Sequence, residues 1–333
     1  MSRVHAIVSA LFGLAAAETA VAPAAPVAGT ISGPVNVTSD NAPSGQQYER
    51  DAGWLGTVGS RVFVMNFDTS LCNADETTNC TFIGTNSFAD ATTVAAVVTD
   101  PPEAVNLCNT DDQLGWVTNV WGVNDTHGIG FFLNITHDTT TGEELNQGSS
   151  PVIFDVSEDT PVCTRINDAV DFWTADANHA TYGNGGSLTA LDGYMYIYAN
   201  QNNVMYLARV PFNVDDASDL SSYTYWNGDD FVADESEAVG IMDVLGGSIF
   251  YSNFLEKYVW LSEGLGYSGI YAYVSDLPQG PFSNGTLLFT DPSRGGTYAP
   301  FAMTNYDATG ATVKIVYSVV DNLSQRVRTV TWN

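Results

Sequence analysis

Apolar and polar residues alternate along most of the chain, in short runs that end at glycine or at polar turns. In the run from Tyr194 to Tyr198, tyrosines occupy every second position, and Met195 and Ile197 fill the positions between them. A period of two places alternate side chains on opposite faces of a β-strand. A short run of Asn and Gln separates this strand from a second one, Val204 to Val210. The two strands are therefore predicted to form a hairpin.

A turn followed by an apolar strand recurs along the whole chain. The repeats begin 53 to 69 residues apart, at Gly59, Gly128, Gly193, Lys257 and Gly310. A propeller blade with four strands and long loops needs about this length, compared with roughly 40 to 50 residues for a compact propeller repeat. We predict an all-β fold with a single five-bladed β-propeller. A jelly-roll sandwich would also contain short strands between turns, but the regular spacing favours the propeller.

The first residues have the pattern of a secretory signal. Arg3 precedes an apolar run from Ala6 to Ala17, and Ala15 and Ala17 suit a signal peptidase. This run is shorter than the roughly 20 residues that a membrane span requires. We predict a signal peptide at residues 1–17 rather than an anchor, and a linker or extended lead-in strand at residues 18–45, which are rich in Ala and Pro. The propeller domain is then predicted for residues 46–333.

Sequons and cysteines also indicate an extracellular protein. Glycans are expected at the Asn-x-Ser/Thr sites Asn36, Asn79, Asn124, Asn134, Asn284 and Asn322. The four cysteines fit two disulfides in an oxidising compartment. Three pairings are open; the short loop favours Cys72 with Cys80, which leaves Cys108 with Cys163. Metal binding is less expected, because there is no C-x-x-C pair and the histidines lie far from the cysteines.

The charge of the chain excludes several classes of partner. Lys and Arg number 10 against 38 Asp and Glu, a net charge of -28. Such a surface repels nucleic-acid phosphates and anionic membranes. We expect a monomer that needs no cofactor. Two groups of residues carry oxygen atoms that would suit a structural calcium ion, although without complete loop spacing they are more often solvated turns: Asn109, Asp111 and Asp112, and Asp215, Asp216 and Asp219.

Other enzyme classes lack their motifs in this chain. The sequence contains no G-x-S-x-G elbow, no H-E-x-x-H helix and no glycine-rich phosphate loop followed by Lys. These absences argue against a serine hydrolase, a zinc protease of that type and a P-loop nucleotide-binding protein.

Several segments carry a family resemblance. They are RDAGWLGTVGSRVFVMNFDTS, IGTNSFAD, YLARVP with YTYWNG, GSIFYSNFLEKYVWL with VSDLPQGPFS, and YAPFAMTNY with IVYSV. In this order they resemble a family of secreted five-bladed propellers associated with endo-D-arabinanases, over most of the mature chain. The SDLPQGPFS segment is similar to the wider set of five-bladed glycosidases, which includes arabinanases and β-xylosidases. The resemblance implies a glycoside hydrolase that acts on a furanoside-containing polysaccharide such as an arabinan.

The chain departs from this family pattern at two places. Related sequences often have Phe-Gly-Asp-Thr where this chain has Asn66-Phe67-Asp68-Thr69, and the loss of the glycine changes the local backbone freedom. The acidic residue expected before the strand of the fourth blade is also absent from Gly246-Gly247-Ser248.

Glycoside hydrolysis requires two carboxyl groups, and Asp51 and Asp68 are the predicted pair. They flank the first-blade strand, where a propeller directs side chains toward its axial funnel. Arg50 could keep a carboxylate ionised or bind a sugar hydroxyl. The structural alternative is that Asp68 caps a turn with Thr69 and that Arg50 and Asp51 form a surface ion pair.

Further substrate contacts are predicted at other blade entries. His179, Tyr182 and Asn184 lie in a glycine-rich loop before the third-blade strand and could orient sugar hydroxyls, although a lone loop histidine is more often structural. Trp54 could stack on a sugar, and the other six tryptophans are predicted to be core or blade-packing residues. The resemblance alone implies roles for Asn86, Ser87, Asn253 and Tyr298. A lectin-like propeller without catalysis and a wall-associated interaction protein remain alternatives.

Overall fold

The fold is built almost entirely from β-strands. The computed structural model describes residues 21–73, 76–92, 97–98, 107–108, 114–137, 144–166, 170–176, 179–189, 192–292, 295–320 and 324–333. Within these ranges the helical elements are α1 (Val214–Ala217) and the 3-10 turns Leu220–Ser222, Glu235–Glu237, Leu265–Tyr267 and Thr304–Tyr306. Helices of this length in the described part of the chain cannot cross a membrane.

The strands follow one another in short hairpins. In chain order they are β1 (Ala28–Ile31), β2 (Val35–Asn36), β3 (Thr38–Ser39), β4 (Gln46–Arg50), β5 (Trp54–Val58), β6 (Arg61–Asn66), β7 (Thr69–Asn73), β8 (Glu76–Gly84), β9 (Ser87–Asp90), β10 (Val97–Val98), β11 (Leu114–Val117), β12 (Val120–Gly122), β13 (His127–His137), β14 (Glu144–Asp155), β15 (Val162–Arg165), β16 (Trp173–Thr174), β17 (Ser187–Thr189), β18 (Tyr194–Gln201), β19 (Val204–Pro211), β20 (Thr224–Trp226), β21 (Phe231–Val232), β22 (Met242–Asp243), β23 (Gly247–Ser252), β24 (Lys257–Glu263), β25 (Ile270–Ser275), β26 (Thr286–Phe289), β27 (Thr297–Met303), β28 (Thr312–Val319) and β29 (Ser324–Trp332).

Most of these strands form five blades, as the sequence predicts, while β4, β7 and β8 form a separate small sheet and β3 pairs with β10. Blade I contains β5, β6 and β9, and blade II contains β11 to β16. Blade III contains β17 to β22, and blade IV contains β23 to β26. Blade V contains β27, β28 and β29, with β1 and β2 paired to β29. Blade V thus includes part of the segment for which the sequence predicts a linker or a lead-in strand.

The inner strands close into a ring. Strand β5 pairs in parallel with β12, and the contacts continue from β12 to β17, β23, β27 and back to β5. We call the face at which these five strands begin the entry face. Asn119 connects three of the strands there, because its amide donates to the Leu55 carbonyl at 3.2 Å and accepts from the Ser187 N–H at 3.1 Å.

The hydrophobic core lies between the blades. Five clusters of buried side chains each join two neighbouring blades of the ring. The strand β18 shows why its sequence alternates: Tyr196 and Tyr198 pack toward blade IV, and Met195 and Ile197 pack toward blade II. The predicted hairpin of β18 and β19 is confirmed by continuous antiparallel pairing from Tyr194 to Gln201.

Candidate active site at the entry face

The two predicted carboxyl residues lie side by side where the chain enters and leaves the first hairpin of blade I. The backbone N–H of Asp51 donates to the Asp68 carbonyl at 2.7 Å. The backbone N–H of Phe67 donates to the Asp51 carbonyl at 3.0 Å. Both aspartates are half-buried. The β5–β6 hairpin, with Trp54 opposite Met65, therefore brings residues 17 positions apart to one corner of the entry face.

A tyrosine of blade V holds the carboxyl of Asp51. The hydroxyl of Tyr298, near the start of β27, donates a hydrogen bond to Asp51 Oδ1. Burial raises the pKa of Asp51, while the bonds from Tyr298 and from the backbone of Ala52 oppose that rise. Burial and the nearby Asp51 charge raise the pKa of Tyr298, so its phenol stays protonated as the donor. The predicted residues Asp51 and Tyr298 thus meet across the closure of the ring.

An aromatic pair stands beside the two aspartates. Trp116 of β11 stacks on Phe67, with ring centroids 4.5 Å apart and planes 10° apart. Trp116 is half-buried, so part of its indole is open to solvent. This contact between blades II and I agrees with the prediction that Trp116 is a core or blade-packing residue. Phe67 directly precedes Asp68, and a partly exposed aromatic ring of this kind packs on sugar C–H groups.

A third carboxyl group, Glu263, lies at the same face and was missed by sequence analysis. It ends β24, and burial raises its pKa, opposed by hydrogen bonds from its own N–H and from that of Ala299. Its Oε2 has no hydrogen-bond partner among the described residues. Because Ala299 directly follows Tyr298, adjacent residues of β27 hold Glu263 and Asp51.

Glu263 lies opposite the position at which an acid was expected at the entry of blade IV. A Cβ on Gly246 would lie 3.4 Å from Glu263 Oε1, and a Cβ on Gly247 would collide with the Leu261 carbonyl. The carboxyl of Glu263 therefore occupies the region that a side chain on residue 246 would enter. The register of the hairpin, in which Gly247 pairs with Ser262, places Glu263 opposite Gly246. A sequence search for acids at the strand start alone cannot find it.

Arg50 is buried beside the corner rather than open to a substrate. Its side chain is 2% exposed and lies over the Tyr48 ring, 5.2 Å from the centroid. Neither a sugar contact nor a surface ion pair with Asp51 fits this burial. The neighbouring Glu49 is also buried; burial raises its pKa to about 7, against the Arg50 charge and a hydrogen bond from Gln47.

Three further predicted contacts are structural. Trp54 is 6% exposed within the core between blades I and II, so its ring has no open face for a sugar. Asn86 is buried; its amide donates to the Leu107 carbonyl at 2.6 Å and accepts from the Val117 N–H at 3.3 Å. Ser87 is buried and shares a 2.7 Å hydrogen bond with the hydroxyl of Thr69. These side chains support the corner that carries Asp51 and Asp68.

The loop before β17 lies on the entry face, and of its three predicted residues, His179, Tyr182 and Asn184, His179 is the one that is exposed. Its Nδ1 lies 2.7 Å from Asp176 Oδ2, and that hydrogen bond raises the pKa of His179. Tyr182 is buried against Trp173. Asn184 exchanges two hydrogen bonds with the backbone of Asn200, at 3.0 and 2.6 Å. Tyr182 and Asn184 therefore fix the loop rather than reach substrate.

Asn253 lies on the opposite face. It follows the end of β23, and Gly247 at the start of that strand belongs to the entry face. Six residues of extended chain span about 20 Å. The Asn253 amide donates to the Ala308 carbonyl at 3.3 Å. The predicted sugar contact is therefore corrected to a bond between two turns.

The structure contains both favoured disulfides, Cys72–Cys80 and Cys108–Cys163, with Cα atoms 4.0 and 4.9 Å apart.

Among the sequons, Asn134 is buried and its amide donates to Asp171 Oδ2 at 2.9 Å, so a glycan on this nitrogen has no room in the folded domain. Asn322 lies outside the described residues. The exposed sequons are Asn36, Asn79, Asn124 and Asn284.

The described residues contain no cluster of three or more His, Cys, Asp or Glu that could hold a metal ion. Of the two predicted acidic groups, Asn109, Asp111 and Asp112 lie outside the described residues. In the other group, the Asp219 carboxylate accepts a hydrogen bond from the Ser221 N–H at 2.9 Å. The Asp216 carboxylate accepts one from the side-chain amide of Asn213. Both aspartates therefore take part in helix caps.

Comparisons with known proteins agree with the fold. The model of a domain of unknown function, DUF5005, matches residues 69–328, beginning one position after Asp68. No curated protein matches the chain in sequence.

Three solved structures illustrate the similarity. A Bacteroides ovatus protein, provisionally assigned as a hydrolase, has a TM-score of 0.61 at 14% identity, covering 87% of this chain and 92% of its own. The GH43_1 enzyme from Xanthomonas citri has a TM-score of 0.51 at 9% identity, covering 84% and 86%. An exo-β-1,3-galactanase from Phanerochaete chrysosporium has a TM-score of 0.54 at 9% identity, covering 89% and 64%. At these identities the similarity establishes the fold.

Proposed function

We infer that this chain, which belongs to the DUF5005 family of domains of unknown function, is a secreted glycoside hydrolase. Its proposed substrate is a neutral polysaccharide that contains furanosides, such as an arabinan, and its proposed catalytic pair is Asp51 and Asp68. The observation that carries the proposal is the juxtaposition of these two residues by reciprocal backbone contacts at the entry face.

The chemistry of the corner supports a two-carboxylate reaction. One carboxyl protonates the glycosidic oxygen as the bond to the anomeric carbon breaks, and the other activates water or attacks that carbon. Burial raises the pKa of Asp51 above that of a solvated aspartate, and Tyr298 fixes the position of its carboxyl. A carboxyl whose pKa lies closer to the working pH transfers protons more efficiently. Trp116 offers a stacking face beside the same corner.

Glycan binding has independent support. The Xanthomonas citri enzyme has been solved with xylotriose, and the Phanerochaete chrysosporium enzyme with β-1,3-galactotriose. The net charge of -28 favours uncharged sugar polymers over anionic ones, since like charges repel. The disulfides suit an oxidising compartment. We propose a monomeric extracellular enzyme on these grounds.

The test is release of oligosaccharides from arabinan, arabinogalactan, xylan and fungal-wall polysaccharides at mildly acidic pH. Wild-type protein is compared with Asp51→Asn and Asp68→Asn, and with Asp40→Asn at an exposed aspartate as control. We expect products from the wild type and the control, and a loss of at least about 100-fold in both site variants. Glycan binding without release would favour the lectin-like alternative. If the protein neither binds nor cleaves any of these polysaccharides, the carbohydrate assignment is wrong.

A further inference from the structure

An exposed tyrosine, Tyr267, lies at the entry face beside the proposed catalytic corner. It belongs to the turn that follows β24, and the residue is 45% exposed. Its ring meets that of Tyr298 edge to face, with centroids 6.1 Å apart and planes at 66°. The Tyr298 hydroxyl in turn bonds Asp51. One tyrosine ring therefore separates Tyr267 from the Asp51 carboxyl, and the proposed reaction gives the exposed part of Tyr267 no role.

The backbone around Tyr267 holds the residue in place. Its N–H donates to the Gly264 carbonyl at 2.8 Å, and the N–H of Gly264 donates to the Gly269 carbonyl at 2.8 Å. The Tyr267 carbonyl packs on Gly296, where a Cβ would collide with it. A ring whose backbone is fixed before a ligand arrives loses less conformational entropy on binding.

Unusual backbone conformations also gather at this place. Three non-glycine residues in the left-handed region lie beside Asp51 or Tyr298: Ala52, Tyr267 and Ala299, with φ of 48°, 58° and 46°. Such conformations cost free energy and cluster at ligand-binding sites, where the surrounding structure maintains them. For a residue as bulky as tyrosine, this conformation is rare. The turn therefore presents Tyr267 at a cost that a solvated loop would not need.

Tyr267 and Trp116 lie on opposite sides of the carboxyl pair. In the ring, blade II is the neighbour of blade I on one side and blade V on the other. Trp116 of blade II stacks on Phe67, next to Asp68. Tyr267 packs on Tyr298 of blade V, next to Asp51. A polymer that crosses the entry face from one aromatic residue to the other passes the two carboxyl groups.

The chemistry of this place selects a neutral sugar. A partly exposed tyrosine ring packs on the apolar C–H face of a sugar, and its hydroxyl can bind the polar edge. The carboxyls of Asp51 and Asp68 and the net charge of -28 repel an anionic unit.

We propose that the exposed ring of Tyr267 is the stacking surface of a subsite for one neutral sugar unit, on the blade V side of the bond to be cleaved. The proposal rests on the proposed function for its choice of a polymeric ligand. Stacking on Tyr267 itself requires no catalysis. Tyr267 is a binding residue in this scheme, and Asp51 and Asp68 perform the reaction.

The experiment uses Asp68→Asn protein, which keeps ligands intact and leaves the contact between Asp51 and Tyr298 in place. Binding of arabinotriose, xylotriose and galactotriose is measured by isothermal titration calorimetry. Tyr267→Asn and Tyr267→Gly remove the ring with residues that tolerate a left-handed backbone. Tyr267→Phe keeps the ring. Thermal unfolding verifies that each variant is folded.

Tyr251→Asn is the matched control. Tyr251 is 38% exposed and meets the Tyr258 ring edge to face, with centroids 5.1 Å apart and planes at 65°. It lies near the far end of β23, on the opposite face. The control therefore removes an exposed tyrosine with the same kind of ring contact, away from the proposed subsite.

We expect at least one trisaccharide to bind, and both ring-removing variants to weaken its binding about three- to tenfold through lost stacking. Tyr267→Phe and the control should bind as tightly as the parent protein. Three results would overturn the proposal: no trisaccharide binds, removal of the ring leaves binding unchanged, or Tyr267→Phe weakens binding as much as Tyr267→Asn does.

A purely structural role for Tyr267, exerted through Tyr298, has a different signature. It would move the pH profile of kcat/KM, as expected for Tyr298→Phe, and leave trisaccharide binding unchanged. The proposed subsite predicts the reverse for Tyr267→Asn, with weaker binding and an unmoved profile.

Hydrolysis by protein with Asp68 intact separates this proposal from the proposed function. If no polysaccharide is cleaved but removal of the ring still weakens trisaccharide binding, the subsite stands and the hydrolase does not. If polysaccharide is cleaved and Tyr267→Asn leaves KM unchanged, the hydrolase stands and the subsite does not.

Discussion

The hydrogen bond from Tyr298 lowers the pH at which Asp51 becomes charged, and Tyr298→Phe removes that bond while keeping the ring. Burial raises the pKa of Asp51, and the Tyr298 hydroxyl opposes the rise. A hydrogen bond to a charged group contributes about 1.5 to 3 kcal/mol, and one pKa unit corresponds to about 1.4 kcal/mol. We therefore expect Tyr298→Phe to raise the pKa of Asp51 by a further 1 to 2 units, roughly.

The assay is kcat/KM as a function of pH, which reports the essential groups of the free enzyme. If ionised Asp51 is the base or nucleophile, activity increases as pH rises through its pKa. The acidic limb of the profile should then move upward by about 1 to 2 pH units, with the plateau preserved. If Asp51 is instead the proton donor, the basic limb should move upward.

Tyr251→Phe is the matched control, because this tyrosine is exposed near the far end of β23. Its profile should equal that of the wild type. A folded Tyr298→Phe enzyme in which neither limb moves, or in which the acidic limb moves downward, would show that the hydroxyl does not govern the charge of Asp51.

Two more predictions concern Glu49 and Trp116. Glu49 has a folded-state pKa raised from 4.5 to about 7, so its contribution to stability is present below pH 4.5 and lost as pH rises through about 7. At alkaline pH the free energy of unfolding in urea should therefore be greater for Glu49→Gln than for the wild type, by up to about 3 kcal/mol. An equal pH dependence of both proteins would contradict this. Trp116→Ala should raise KM about two- to tenfold through lost stacking. Trp226→Ala, which removes an indole packed on Phe231, should leave KM unchanged; equal KM values for both variants would refute a sugar contact at Trp116.

Local alternation was sufficient to predict much of the fold. The alternating tyrosines of β18 predict a strand with two different faces, and in the structure they pack between blades III and IV. The repeat of such strands also predicted the number of blades. The proximity of Asp51 and Asp68 could be predicted because they flank one hairpin, whose two ends must be neighbours.

The direction and burial of single side chains could not be predicted in the same way. Trp54 and Arg50 become buried through residues distant in sequence, and nothing in their own segment shows it. Asn253 follows the end of β23 that is far from the entry face, and only the direction of that strand in the fold shows this. The position of Glu263 at the entry face follows from the register of the β23–β24 hairpin, in which Gly247 pairs with Ser262.

The closure of blade V has a consequence for how the chain acquires its shape. Strand β1 pairs with β29, and the N–H of Asn333 donates to the Val27 carbonyl at 3.0 Å. Ribosomes add about 5 to 20 residues per second, so β29 emerges about 15 to 60 s after β1. Strand β1 therefore has to remain without this pairing until β29 has been synthesised. The contact between Asp51 and Tyr298 also joins the two ends of the ring, so the proposed active site can be completed only after β27 has been synthesised.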